Sequence, residues 1–378
     1  MKKKITVLYD GSAYTLTWLR ALVWAKKEFD KHSVQIEFYG PSAYVPSRLI
    51  DNRKFDVKNI KKYCDENKLD IVFVAFHHDS GISALSVEER KEVLTFIKNR
   101  CRKLIWLDTS DSSGTALFDV LPYVDYFLKK QVLKDMNQYR KETYGGRKYC
   151  EFYHEKLGIN DKDLESKRFP VMDPRYKDKI KLSWNVGLGD LFSSTKKDKL
   201  LCRSHYPKYQ FREPSQTRKF DTHYRGSAWK SLAGFQRKKI SDLLLESSDR
   251  LVMPDVSKMV PREEYIREMM ESRSVFSPFG WGEVCTRDFE AFVYGAALIK
   301  PDMSHLITYP AWYEDGETYL RLNWDFSNFY DIVELLLSEN RKRQINEIAA
   351  KGQEKYRSYV IGGQNEFAEH LLYQIEEL

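Results

Sequence analysis

The feature of the sequence that most restricts its fold is a repeated succession: a short β-type apolar run, a polar or glycine-bearing turn, then a stretch with apolar residues at helical spacing. Ile5–Tyr9, Val34–Phe38, Ile71–Phe76 and Leu104–Leu107 read as strands, with Ser12–Lys31, Asn59–Lys68 and Val87–Arg100 as helices between them. Strands joined by crossover helices run parallel, since only antiparallel neighbours close through a hairpin. The strand-end turns, Asp10-Gly11-Ser12, His77-His78-Asp79-Ser80-Gly81 and Asp108-Thr109-Ser110-Asp111-Ser112-Ser113-Gly114, then fall on one edge of the sheet. Open parallel sheets bind their ligands at that edge.

A second succession follows a stretch, from about Lys129 to Lys181, that is rich in Lys, Tyr, Asp and Arg and reads as surface helices and a connector. Its strands are expected near Leu200–Arg203, Lys219–Tyr224, Arg250–Met253, Ser274–Ser277 and Ala296–Lys300. Its helices are expected over Gly234–Leu245, Arg262–Glu271 and Cys285–Tyr294, and the chain from Asn328 onward reads as helical. The expected fold class is α/β: two Rossmann-like domains facing across a cleft, with C-terminal helices. The expected division is residues 1–180, 181–355 and a last helix, 356–378, that packs back on the first domain. A chain of 378 residues, 42% hydrophobic and with 24 Tyr, 21 Phe and 8 Trp, has the apolar surface to fill two such cores, which excludes disorder as its main state.

Five cysteines, an odd number with no Cys-x-x-Cys pair, indicate neither a disulfide framework nor a zinc site and suit a reducing compartment. The apolar run after Met1-Lys2-Lys3-Lys4 stops at Asp10, too short for a signal peptide or a membrane span, and the expected location is cytoplasmic. The formal charge of +7 (62 Lys and Arg against 55 Asp and Glu) is a weak basic bias that selects no partner among anionic ligands, membrane surfaces and nucleic acids.

The chemistry concentrates in Ser274-Val275-Phe276-Ser277-Pro278-Phe279-Gly280-Trp281-Gly282-Glu283-Val284-Cys285-Thr286-Arg287-Asp288-Phe289-Glu290-Ala291, which reads as strand, glycine turn, helix. Gly280 and Gly282 let the backbone approach a ligand, and the first N–H groups of the following helix lack partners inside it. Phosphate is the natural occupant, drawn also by the helix dipole, and Glu290 is placed to accept hydrogen bonds from ribose hydroxyls. The bland reading of the same glycines is a tight strand-to-helix connection with Phe279 and Trp281 in the core.

This run, continued through Phe292-Val293-Tyr294-Gly295-Ala296-Ala297-Leu298-Ile299-Lys300-Pro301-Asp302-Met303, resembles the donor-binding half of GT-B glycosyltransferases, group 1 and exostosin-like enzymes above all, in which an "SPFGxGE...R.FEA...G..P" pattern lies on the nucleotide-sugar site. The likeness is specific from roughly Arg225 to Asp325 and architectural in the N-terminal half. It implies that Glu290 binds the donor ribose, that Gly280, Trp281 and Gly282 border the sugar and diphosphate, and that Glu283 touches the donor sugar. Six residues separate Glu283 from Glu290, where many group 1 enzymes have seven. In Phe220-Asp221-Thr222-His223-Tyr224-Arg225-Gly226-Ser227-Ala228-Trp229-Lys230, the pair Arg225 and Lys230 has the Arg-x4-Lys spacing that the resemblance assigns to the donor diphosphate; otherwise it is a solvated basic loop. Lys300, at the end of an apolar strand, is a further ligand contact or a simple strand exit.

A base for the acceptor hydroxyl is sought at the strand ends of the first domain, among Asp10, His77, His78, Asp79, Asp108 and Asp111, each of which also suits a helix cap or a polar surface. Asp111 and His78 are the preferred pair. The only Asp-x-Asp, Asp161-Lys162-Asp163, has no strand before it, so no obligatory metal and no cofactor is expected beside the nucleotide-sugar substrate. Gly-x-Ser-x-Gly, P-loop and His-Glu-x-x-His motifs are missing, and Gly187-Leu188-Gly189 lacks the third glycine of a dinucleotide fingerprint. The expected activity is metal-independent glycosyl transfer from a nucleotide sugar to a glycan or lipid-linked acceptor in cell-surface polysaccharide or lipopolysaccharide synthesis, with peripheral contact to the inner membrane face. The alternatives are transfer to modified DNA bases, which makes nucleic acid the partner, and a non-catalytic nucleotide- or glycan-binding module.

Overall fold

The computed structural model describes residues 3–40, 50–51, 56–188, 210–227 and 230–378. The expected strand Leu200–Arg203, Gly189 of the glycine pair, and Ala228 and Trp229 lie outside the described residues. In chain order the first part comprises β1 (Lys3–Tyr9), α1 (Ala13–Trp24), α2 (Lys26–Lys31), β2 (Val34–Tyr39), β3 (Ile50–Asp51), α3 (Val57–Glu66), β4 (Ile71–Ala75), α4 (Val87–Lys98), β5 (Lys103–Asp108), β6 (Tyr126–Lys129), β7 (Gln131–Leu133), α5 (Lys148–Leu157), α6 (Lys162–Glu165) and β8 (Ile180–Leu182). Seven of the strands form one sheet in the order β3-β2-β1-β4-β5-β6-β8, parallel throughout. The order reverses direction between β1 and β4, and a doubly wound sheet opens a crevice at such a point. Strands covered on both faces need no alternation, and Ile71, Val72, Phe73, Val74 and Ala75 are all fully buried.

The second part comprises β9 (Phe220–His223), α7 (Phe235–Glu246), α8 (Arg262–Met270), β10 (Ser272–Phe276), α9 (Thr286–Tyr294), β11 (Ala297–Pro301), β12 (Leu306–Thr308), β13 (Tyr319–Leu322), α10 (Phe329–Leu337), α11 (Lys342–Val360) and α12 (Gln364–Gln374). Here β13-β11-β10-β9 form a second parallel sheet. The expected α/β class, with two parallel units and a helical tail, is what the chain adopts.

Local chemistry explains several boundaries. Ser12 caps α1 by accepting from the Thr15 N–H, and Ser86 with Glu89 forms a capping box on α4. The expected helix Ser12–Lys31 breaks at Ala25 into α1 and α2. Gly295, at φ +65°, ends α9 in the left-handed conformation, and the Ala296 N–H reaches back to the Ala291 carbonyl at 2.9 Å. The stretch Arg250–Met253 is not a strand; it meets β9 through Asp221, whose N–H donates to the Val252 carbonyl at 2.7 Å. Within Lys129–Lys181, expected as surface helices and a connector, the structure has β7, the start of β8, α6 and α5, whose Tyr149, Cys150 and Tyr153 are fully buried.

Three features join the units. β7 pairs antiparallel with β12. Tyr149 and Tyr153 of α5 pack on Phe279 and Phe235 of the second unit, with ring centroids 5.1 and 4.7 Å apart. Finally, α12 lies on the first unit, where Phe367 meets Trp24, Phe29 and Trp184. Since β8 spans residue 180 and pairs with β6, the first sheet runs past that residue to Leu182. Among the described residues no helix is long and apolar enough to cross a membrane.

Candidate functional site

A cavity of about 600 Å³ opens between the units. Its N-terminal wall carries Tyr14, Trp18, Asp111, Lys130, Gln131 and Asn185; its C-terminal wall carries Arg237, Arg262, Tyr265, the Gly280–Gly282 turn, Cys285, Arg287 and Glu290.

The C-terminal wall is built by β10 running through the glycine turn into α9. Lys300 and Asp288 fasten this connection from below. Their side chains are fully buried 2.9 Å apart, and Asp288 also accepts from Ser277 Oγ (2.5 Å), Tyr313 OH (2.7 Å) and the Cys285 N–H (3.0 Å). With its base pinned in this way, α9 presents its first turn to the cavity. Arg287 stands in that turn. One of its nitrogens, Nη2, donates to the Arg225 carbonyl, and its guanidinium lies over the Tyr224 ring, 5.5 Å from the centroid. Its Nε and Nη1 are buried and have no hydrogen-bond partner. Two unpartnered guanidinium nitrogens beside a helix N-terminus favour an anion strongly. Glu290, one turn on, accepts from Arg262 Nη2 and from Tyr265 OH, each at 2.5 Å. Burial and the charge of Glu290 raise the Tyr265 pKa, so this phenol stays protonated and keeps donating.

The N-terminal wall starts at the crevice between β1 and β4. Asp10 accepts from the N–H groups of Ser12 (2.9 Å) and His77 (2.7 Å) and from Ser80 Oγ, which ties the two turns together. Burial alone would raise the Asp10 pKa, but these hydrogen bonds outweigh it and hold it below the usual value. From the start of α1, the Tyr14 hydroxyl donates to Asp111, and Lys130 Nζ lies 2.8 Å from that hydroxyl, 3.5 Å from Asp111 Oδ1 and 3.9 Å from the Trp18 ring centroid. Burial lowers the Lys130 pKa to about 8 against the opposing pull of Asp111 and Asp108. Lys130 is therefore charged below about pH 8 and neutral above it. An anion in the cavity is expected to lose up to about tenfold in affinity as pH rises from 7 to 9.5, through the loss of one nearby charge. Calorimetry with a nucleoside diphosphate across that range checks this, and Lys130→Met is expected to flatten the profile.

The two walls meet at the glycine turn. The buried Glu283 carboxylate accepts from Ser112 Oγ (3.0 Å), the Ser113 N–H (2.9 Å), Ser113 Oγ (2.7 Å) and Gln131 Nε2 (3.3 Å). The Gly280 carbonyl accepts from Tyr149 OH at 2.7 Å, and the Trp281 carbonyl from Arg147 Nε at 2.9 Å. A Cβ on Gly282 would run into the Asp111 carbonyl, so a side chain at this position would force the walls apart.

Of the residues singled out from the sequence, the cavity brings together Asp111, Gly280, Trp281, Gly282 and Glu290. Glu283 and Lys300 are buried behind it, both engaged by protein groups. Arg225 is turned away: its Nη2 and Nε hold Glu268 Oε1 and Oε2 at 2.6 and 2.8 Å, and its Nη1 donates to the Asp255 and Lys258 carbonyls. Lys230 is exposed and lines no part of the cavity. His78 is exposed at the end of β4; desolvation and the adjacent His77 lower its pKa, while Asp79 and Asp111 pull it up. His77, His78 and Asp79 are the one group of metal-type ligands among the described residues whose donor atoms lie within 4.8 Å of each other, and they stand outside the cavity.

Sequence reasoning missed Tyr14, Lys130, Asn185, Arg237 and Arg262 as lining residues and gave Arg287 no role. Arg287 carried a signal, since it stands two residues into a helix that follows a glycine turn. Lys130 carried none, because a Lys-Lys pair reads as solvated.

Neither a family model nor a curated protein matches the sequence. Among solved structures the chain is similar to an alpha-glucosyltransferase in complex with UDP (11% identity, 97% of this chain and 99% of that one, TM-score 0.43). It is also similar to an alpha-glucosyltransferase in complex with UDP and a 13-mer DNA (9%, 97% and 99%, 0.42) and to TarM (7%, 99% and 99%, 0.48). Likeness at this level transfers no substrate and no residue role.

Proposed function

We propose that this protein is a glycosyltransferase of the GT-B kind, which moves a sugar from a nucleoside-diphosphate donor to a hydroxyl of a glycan or lipid-linked acceptor in cell-surface polysaccharide or lipopolysaccharide synthesis. The observation that carries the proposal is Arg287, whose Nε and Nη1 are buried without a hydrogen-bond partner at the mouth of α9. As the bond from the anomeric carbon to the β-phosphate breaks, its electron pair and the negative charge pass to the phosphate oxygen that carried the sugar, and fixed donors stabilise that charge without reorganising. Arg287, Arg237 and the opening N–H groups of α9 supply them in the place a divalent metal takes at other diphosphate sites; transfer is expected to proceed unchanged in EDTA.

Opposite, Asp111 is the group best disposed to take the acceptor proton. Lys130 and the Tyr14 hydroxyl hold its carboxylate at the cavity, as a general base requires. Glu290 still has lone pairs beyond those taken by Arg262 and Tyr265, and a ribose diol is the partner that suits them.

The test is Glu290→Ala. Removing a charged acceptor is expected to weaken ribonucleoside diphosphate binding about 10- to 100-fold and to abolish discrimination against the 2′,3′-dideoxy form. Calorimetry that finds the same affinity and the same discrimination as in the unmodified protein would contradict the assignment.

A further inference from the structure

The two walls of the cavity differ in chemistry. The C-terminal wall offers guanidinium and helix N–H groups. The N-terminal wall, beside the Asp111–Lys130 pair, offers neutral polar atoms that have no hydrogen-bond partner in the protein. Asn185 is 1% exposed, and neither its Oδ1 nor its Nδ2 has a hydrogen-bond partner. The backbone fixes it on both sides: its N–H donates to the Tyr309 carbonyl at 3.1 Å and its carbonyl accepts from the Leu188 N–H at 3.1 Å. Trp18 Nε1 and Gln131 Oε1 are also buried without partners. All three side chains line the same cavity.

A buried amide with none of its hydrogen bonds made is costly, and native proteins keep such groups where a bound molecule satisfies them. The wall's own composition restricts that molecule. A second anion would face the Asp111 carboxylate and the amide oxygens of Asn185 and Gln131, and a cation would face Lys130. A hydroxyl both donates and accepts, and two neighbouring hydroxyls on a ring match the donor and acceptor of one amide.

We propose that Asn185, Trp18 and Gln131 form a subsite for an uncharged, hydroxyl-rich ring of the pyranose type. The Asn185 amide bridges two adjacent hydroxyls, Trp18 Nε1 donates to a hydroxyl oxygen and Gln131 Oε1 accepts from a hydroxyl. The inference rests on the reading of the cavity as a glycosyl-transfer site and names the chemistry of the group held opposite the diphosphate. That ring belongs either to the donor's sugar or to the acceptor, and the experiment separates the two.

The experiment compares the unmodified chain with Asn185→Leu and with Trp18→Phe, which keeps an aromatic ring and removes only the N–H donor. Calorimetry measures UDP, GDP, UDP-glucose and GDP-mannose. Saturation-transfer NMR measures the methyl glycosides of glucose, galactose and N-acetylglucosamine with UDP or GDP present. Asn185→Leu is expected to leave UDP and GDP affinity within about twofold, and to weaken a sugar-bearing ligand that the unmodified chain binds by about tenfold or more, the effect of losing one or two hydrogen bonds. Trp18→Phe is expected to weaken the same ligand about threefold. The Tm of Asn185→Leu should not fall below that of the unmodified chain, because the substitution removes an unpaired buried amide; a purely structural asparagine would lower it. A loss in the nucleotide sugar assigns the ring to the donor, and a loss in the methyl glycoside assigns it to the acceptor. Equal binding of every sugar ligand by all three proteins, or no sugar ligand bound by the unmodified chain, overturns the subsite. Failure of UDP and GDP alone to bind contradicts the nucleotide reading and leaves the glycoside measurement standing on its own.

Discussion

Arg287→Met is expected to lower the affinity for a nucleoside diphosphate by about 10- to 100-fold, the cost of losing about 1.5–3 kcal/mol of hydrogen bonding to a charged group. The reason lies in what the side chain does without a ligand. Only Nη2 is engaged within the protein, at the Arg225 carbonyl, whereas Nε and Nη1 are buried and unpaired. Arg225, by contrast, spends Nε and Nη2 on Glu268 and Nη1 on two backbone carbonyls. Methionine keeps much of the apolar stem, so the fold should survive with its Tm close to the original. Calorimetry and a thermal melt on the same sample separate the two effects. Undiminished affinity would remove Arg287 from the diphosphate site, and a collapsed Tm would make it a structural residue.

Glu283→Ala is expected to produce a large loss of stability. The carboxylate receives four hydrogen bonds from the Ser112–Ser113 turn and Gln131, with no exposed surface of its own. Truncation leaves those donors unpaired between the units. The expected cost is about 3–4 kcal/mol, beyond that of a typical substitution. Glu283→Gln keeps the shape and lets the serine hydroxyls reorient, so it should lose less. Denaturant midpoints measure the cost. Faster amide exchange at Ser113 and a larger radius of gyration in solution scattering would accompany it, because the same contacts hold the cavity closed. A midpoint unchanged from the original would mean that Glu283 does not join the units.

Physical distance along the chain decides what was legible in the sequence. The strands β1, β4 and β5 are buried on both faces over most of their length and read as apolar runs, and β2 alternates Val34, Ile36 and Phe38 inside with Gln35 outside, so their existence was plain. β6 was not, since Tyr126-Phe127-Leu128-Lys129 ends on a lysine that local reasoning assigns to solvent. In the structure Lys129 is 1% exposed and pairs with Asp108, 2.7 Å away on the neighbouring strand. The glycine turn and α9 were legible because turn chemistry and helical periodicity are both local. The cations around the cavity were not. Arg225 and Lys230 have a suggestive spacing, but Glu268, 43 residues further on, occupies the first of them, and no local pattern reports such a partner. Lys130 and Asn185 are hidden for the same reason, as their setting is made by Tyr14, Trp18 and Asp111 from other elements.

The central claim is that the mouth of α9 holds a diphosphate whose nucleoside reaches Glu290. A crystal structure of the chain grown with the nucleoside diphosphate that gives the largest thermal shift among UDP, GDP and ADP tests it most directly. The expected result is a terminal phosphate within hydrogen-bond distance of Arg287 Nε and Nη1 and of the first N–H groups of α9, with ribose hydroxyls on the Glu290 carboxylate. A nucleotide bound elsewhere, with Arg287 turned onto a protein acceptor and the cavity filled by its own side chains, would contradict it.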